Sequence, residues 1–191
     1  MEDPVKIKTS RFGELQVNNT DIISFKDGIL GFESLNKFFV VDPGDSTLIL
    51  WLQSIEDGEV AFPIIEPKIF KPDYVAKLLP ADMNALGLES LQTAKVYSIL
   101  TIPQDVTKMT ANLKAPIIIN NSNKIGKQIV LQDSKLPVSH EMYLDLKKYI
   151  IGFVSDDSQR TTVQEPLATH ETESASNNTE EPARNPSEKG L

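Results

Sequence analysis

Cysteine is absent from all 191 residues. Disulfides, thiol catalysis and thiolate metal sites are thereby excluded, and a reducing compartment fits. Histidine is nearly absent, with two in the chain. His140 is the one in the body and His170 lies far downstream. Two histidines without cysteine do not make an ordinary zinc site. They leave little to act as base for a nucleophile, so His140 is expected to be a solvated residue at a helix start. No apolar run approaches the roughly 20 residues of a membrane-spanning helix. The opening Met-Glu-Asp-Pro is acidic and polar, unlike a secretory signal, and cytoplasmic residence is expected. Clustered Lys and Arg are also missing, which disfavours direct nucleic-acid binding. There is no Gly-x-Gly-x-x-Gly, no Walker loop and no calcium-loop spacing. No catalytic, metal or cofactor site is expected.

The formal charge is −8 and is unevenly spread. Residues 155–191 hold 8 acids and 3 bases and no aromatic residue, which leaves 19 acids and 16 bases before them. Such a segment cannot bury enough apolar surface to offset ordering. The chain therefore divides into a folded body, 1–154, and a disordered acidic tail, 155–191. A net-acidic body suits a basic protein partner.

Within the body, strand signals are short and frequent. Val5–Thr9 alternates, Ser10–Gly13 turns, and Leu15–Val17 resumes the alternation. Ile22–Phe25, Phe38–Val41, Leu48–Leu52, Val60–Ile65 and Val96–Ile102 follow, separated by Asp27-Gly28, Pro43-Gly44 and Asp57-Gly58. Gly28 and Gly31 lie between strands and read as positive-φ turn residues. Pro63 marks its strand as an edge or a bulge. Trp51, the only tryptophan, is expected to pack on a sheet face. Pro80, Asp82 and Gly87 punctuate a short helix over Ala81–Leu86. Pro116–Asn120 and Lys127–Leu131 form a further hairpin. Ser139 is placed to cap a last helix reaching Phe153, with Met142, Leu146, Ile150 and Phe153 on one face. Strands that do not alternate with long helices give a mainly β fold, an antiparallel barrel or sandwich with one short helix and a C-terminal helix.

The run Met109-Thr110-Ala111-Asn112-Leu113-Lys114-Ala115-Pro116, entering Ile117-Ile118-Ile119-Asn120, mixes small, polar and apolar residues. Asn112 is suited to an Asx turn, and Pro116 withholds one N–H at the strand entry. The composition allows a structural strand connection or a peptide edge shown to a partner. With Thr9–Glu14, Asp27–Glu33, Trp51-Leu52-Gln53-Ser54, Ala61-Phe62, Pro72-Asp73-Tyr74, Thr101-Ile102-Pro103 and Gly126-Lys127-Gln128, this run resembles the FliW family of bacterial flagellar assembly factors. The likeness covers roughly residues 5–135. Lys26 departs from it where the family often has proline, and the terminal helix and tail extend past its usual end.

The resemblance implies a β-rich pseudobarrel and a non-enzymatic role. It implies two protein partners, flagellin and the translational repressor CsrA, exchanged so that flagellin synthesis follows export. Partner contact is expected at two segments that combine turn and apolar residues: Phe25, Gly28, Gly31 and Phe32, and Asn112, Leu113, Pro116, Asn120 and Asn121. The rival readings are an oligonucleotide-binding barrel, which would show an aromatic-lined basic groove, and an enzyme using carboxylates from distant strands, which would show a pocket of shifted carboxylates.

Overall fold

A computed structural model of the chain describes residues 3–44, 48–133 and 135–150. The expected disordered tail, 155–191, and the end of the last helix at Phe153 lie outside the described residues.

The body is a closed ring of seven strands. In ring order these are β3 (Ile23–Phe25), β4 (Lys37–Val41), β5 (Leu50–Ser54), β6 (Ala61–Ile65), β7 (Ala94–Thr101), β9 (Ile117–Asn120) and β10 (Ile125–Gln128). Every pairing is antiparallel except the one that closes the ring. There β10 runs parallel to β3, with Ile125 opposite Ser24 and Gly126 opposite Phe25. The fold is thus mainly β and barrel-like, as expected, with one parallel seam. Short β8 (Thr110–Ala111) continues along the far end of β7, and β11 (His140–Glu141) adds to β8. Closure removes the exposed edges that an open sheet would leave.

Alternation sets two cores. Phe25, Phe38, Leu52, Ile64, Ile117 and Ile119 point inward and are essentially solvent-free. The opposite faces of β6, β7 and β9 carry Ile65, Leu100 and Ile118 under a second core with Phe70, Tyr74, Leu86, Leu113 and Met142. Strand β9 is therefore buried on both faces, which explains its unbroken Ile117-Ile118-Ile119 run, as in any strand covered on two sides. Helix α1 (Pro80–Leu86) belongs to this cover. It starts with Pro80 and ends at Gly87, whose φ of 64° allows the closing turn: Gly87 N donates to Asn84 O and Leu88 N to Met83 O.

A hairpin of β1 (Val5–Thr9) and β2 (Gly13–Val17) lies outside the ring. It packs Ile7 and Val17 on Phe39. Its turn is closed by Thr9, whose Oγ1 donates to Gly13 O and accepts from Phe12 N. The Trp51-Leu52-Gln53-Ser54 run is also architectural. Gln53 is wholly buried and its Nε2 donates to Ser54 O and Val60 O, both at 3.0 Å, while Ser54 Oγ accepts from Glu56 N and Asp57 N.

Trp51 packs on a sheet face, as expected, and is half-buried there: Arg11 stacks its guanidinium 3.8 Å from the ring centroid and Phe12 meets it edge-on at 5.9 Å. It ties the outer hairpin to β5 and does not enter the core. Two expectations need correction. Pro63 lies in a ring strand, not an edge. β6 tolerates it because the ladder with β7 covers only Ile64 and Ile65. The last helix, α2, begins at residue 143, not near Ser139. His140 and Glu141 form β11 instead, and His140 stacks on Phe70 at 5.8 Å and is not freely solvated.

Candidate partner-binding surface

The turn that follows β3 is built by its glycines. Gly28 has φ 65°, and a Cβ there would lie 2.6 Å from the Glu33 Cα. Only glycine fits both demands. Gly31, with φ 85°, donates its N–H to Glu33 Oε1 at 2.8 Å. That bond, with the Glu33 backbone N–H, holds the Glu33 carboxyl below its ordinary range. The turn sends Ile29 into the barrel as a plug and Leu30 and Phe32 outward, 58% and 39% exposed. Phe32 rests edge-on against Phe62, 5.1 Å between centroids. Phe25 is fully buried and serves as the floor of the turn.

The second segment is a bulge between β8 and β9. Asn112 Oδ1 accepts from Lys114 N at 3.1 Å and Ala115 N at 2.9 Å, the Asx turn expected of it. Asn112 N still donates to Ile99 O on β7. Leu113 is turned completely inward, and its carbonyl accepts from the Tyr74 hydroxyl at 2.9 Å. Pro116 is buried, and its carbonyl accepts from Ile129 N.

One side chain joins the two segments. Gln128, in β10, accepts from Leu30 N through Oε1 at 3.0 Å and donates through Nε2 to Ala115 O at 3.2 Å. Gly28, Gly31 and Phe32 are thereby fixed beside Asn112–Pro116. Val130, two residues beyond Gln128, is half exposed. Asn120 and Asn121 do not belong to this surface. They lie at the other end of β9, where buried Asn120 donates to Leu86 O and Gly87 O and so closes the end of α1. Asn121 is exposed there. Of the nine named residues, Phe25, Leu113, Pro116 and Asn120 give support from inside, while Gly31 and Phe32 reach solvent. Sequence reasoning passed over Leu30 and Gln128. Gln128 stands in the Gly-Lys-Gln piece, but its double bond depends on a strand pairing that no local pattern announces.

Burial pushes the Tyr74 hydroxyl up to about 12. An unfolded tyrosine ionises near pH 10, so the folded state favours the neutral phenol. That contribution is intact below about pH 10 and is lost as pH climbs through about 12. A denaturant series at rising pH is expected to show stability falling across this window. Tyr74→Phe is expected to flatten that fall and to cost about 1 kcal/mol at neutral pH through the lost hydrogen bond. An unchanged alkaline limb in Tyr74→Phe would place its origin elsewhere.

The described carboxyls with clear shifts, Glu33, Asp73 and Asp105, are all lowered and all exposed. Each is held by local bonds: Glu33 as above, Asp73 by Lys71, and Asp105 chiefly by the Thr107 hydroxyl and N–H. Among the described residues no group of three or more His, Cys, Asp or Glu is placed to hold a metal ion, and no helix is long and apolar enough to cross a membrane.

Residues 6–142 match the family model described as FliW protein. The flagellar assembly factor FliW of Bdellovibrio bacteriovorus is 41% identical over 145 residues, 76% of this chain and 83% of that one. That of Thermoanaerobacter pseudethanolicus is 39% identical over 144 residues, 75% of this chain and 96% of its own. A crystal structure of the flagellar assembly factor FliW superposes with a TM-score of 0.69 at 30% identity, covering 73% of this chain and 97% of that one.

Proposed function

Because the chain belongs to the FliW family of flagellar assembly factors, we propose that it is a cytoplasmic, non-enzymatic binding protein occupied in turn by flagellin and by the translational repressor CsrA. Flagellin that accumulates fills the factor and leaves CsrA free to repress. Flagellin that is exported leaves the factor free to withdraw CsrA from its message.

The observation that carries the placement of flagellin is the Gln128 tether. It holds exposed Leu30 and Phe32 against the Asn112–Pro116 bulge on a rigid ring. Two exposed apolar side chains on a fixed turn make an anchor for an apolar segment of a partner, and a partner's gain there is not spent on ordering the loop. CsrA is read as the charge-driven partner. A repressor that holds RNA needs basic surface, and the chain's net charge of −8 complements it.

The test is calorimetric titration of purified flagellin monomer and of CsrA into wild type and Leu30→Asp. Leu30 is more than half exposed, so the substitution is expected to leave thermal stability nearly unchanged. Flagellin binding should weaken at least about tenfold, the loss expected when a central anchor is removed. CsrA binding should weaken clearly when salt rises from low to physiological, because exposed charges are screened over about 8–10 Å. Flagellin binding should respond less, since apolar burial is not screened. Unchanged flagellin affinity in Leu30→Asp removes the placement. Failure of the wild-type chain to bind either protein at micromolar concentration removes the functional reading.

A further inference from the structure

The Gly28–Phe32 turn plugs one end of the barrel with Ile29, so the other end is the one that receives the start of β3 and the close of β9. Side chains alternate along each strand. The inward row of each strand therefore runs on past its last core residue to that second mouth. Asp21 precedes Ile23, Lys95 precedes Tyr97, Glu66 follows Ile64 and Asn121 follows Ile119. A cavity of about 200 Å³ lies there, floored by Ile23 and Ile119 and rimmed by Asp21, Lys95, Asn121 and Lys124.

On the rim Lys95 is paired with Glu66 at 3.1 Å, while Asp21 keeps its charge and accepts from the neutral Asn18 Nδ2 at 3.1 Å. Two donors are left over. Tyr97 is 6% exposed and lines the cavity, yet its hydroxyl has no hydrogen-bond partner among the described residues. Burial, and secondarily the Glu66 carboxylate, raises its pKa and keeps it protonated. The Lys124 ammonium likewise has no ion-pair partner among the described residues. Lys124 also holds φ 57°, a conformation that residues with a side chain adopt only at a cost. Glycine or asparagine would suit that turn better. Lys124 and the Tyr97 hydroxyl thus meet on one small cavity as two donors that no described residue engages.

We propose that this mouth binds a small oxyanion, a carboxylate or a phosphate, with Lys124 and the Tyr97 hydroxyl as its principal donors and the exposed Asn121 amide beside them. The site lies at the opposite end of the barrel from Leu30 and Phe32, and the proposal stands whether or not flagellin binds at those residues.

The test uses the full chain and two-dimensional amide NMR. Acetate and phosphate are titrated separately, with sodium chloride at matched ionic strength as control. Saturable shifts confined to residues around Asn121–Lys124, absent in the chloride series, are expected with at least one of the two anions. The one that saturates identifies the carboxylate or the phosphate source. Tyr97→Phe should weaken binding about tenfold or more, as loss of a hydrogen bond to a charged group does. Lys124→Gly should abolish saturation while raising Tm by about 2–4 °C through relief of the backbone. Shifts no different from those in chloride, with both anions, overturn the site. So does a well-folded Lys124→Gly or Tyr97→Phe chain that saturates as wild type does.

Discussion

Phe25→Ala is expected to lower stability by about 3–5 kcal/mol, the range for deleting a buried aromatic side chain. Its ring is solvent-free and meets Phe38 edge-on at 5.2 Å. It also fills the space that a side chain on Gly126 would need: a Cβ there would lie 2.4 Å from the Phe25 Cζ. This contact crosses the parallel seam, since Gly126 and Phe25 are register partners of β10 and β3. Gly126→Ala alone should therefore cost about 1–3 kcal/mol by overpacking. Phe25→Leu combined with Gly126→Ala should be less harmful than the two single losses added together, because the smaller side chain admits the methyl group. Urea midpoints at constant m-value measure all four corners of this cycle. Strict additivity would show that the two residues do not compete for one space.

The second large effect is expected at Leu113. Its side chain is fully buried in the outer core, so Leu113→Ala should lose about 2–5 kcal/mol. Asn112→Ala, one residue earlier, removes only the acceptor for Lys114 N and Ala115 N. Lys114 N keeps its bond to Pro137 O, and the expected loss is about 1–2 kcal/mol. The double alanine variant is thus a stability probe before it is a binding probe. Each single variant should be assayed well below its own thermal midpoint. If Leu113→Ala weakens a partner while its folded fraction is unchanged, Leu113 supports the outer surface through the bulge's shape. A Leu113→Ala chain as stable as wild type would contradict the packing described here.

Local chemistry announced the elements whose causes are local. Gly87 ended α1 where expected because its left-handed φ is a local signal, even though Asn120 from the end of β9 then satisfies the Leu86 and Gly87 carbonyls. Gly28 and Gly31 carried the positive φ angles that their position between strands implied. Asn112 made its Asx turn from neighbours two and three residues away. What escaped depends on pairing across the chain. Nothing near Gly126 tells that it lies under Phe25, and nothing near Gln128 tells that it reaches Leu30, 98 residues earlier. The helix start was misplaced for the same reason: Ser139 is a sound cap, but β8 offers His140 and Glu141 a ladder that the local pattern does not contain. The apolar character of Leu113 and Phe25 marked them as contact residues, yet burial in the chain's own interior satisfies that character first.

The seam has a consequence for how the molecule comes into being. β3 finds its last neighbour in β10, about 100 residues later in the chain. At synthesis rates of about 5–20 residues per second, β3 waits roughly 5–20 s before that neighbour has even been made. During this interval its open side is a strand edge available to other chains. Folding is also expected to be slow for the chain's size, since the ring closes only through contacts distant in sequence. The vulnerable moment of this protein's life is therefore on the ribosome. Truncated chains ending before Ile125 are expected to collect in the insoluble fraction, whereas chains that reach Leu146 can close the ring and supply the buried residues of the core that covers it.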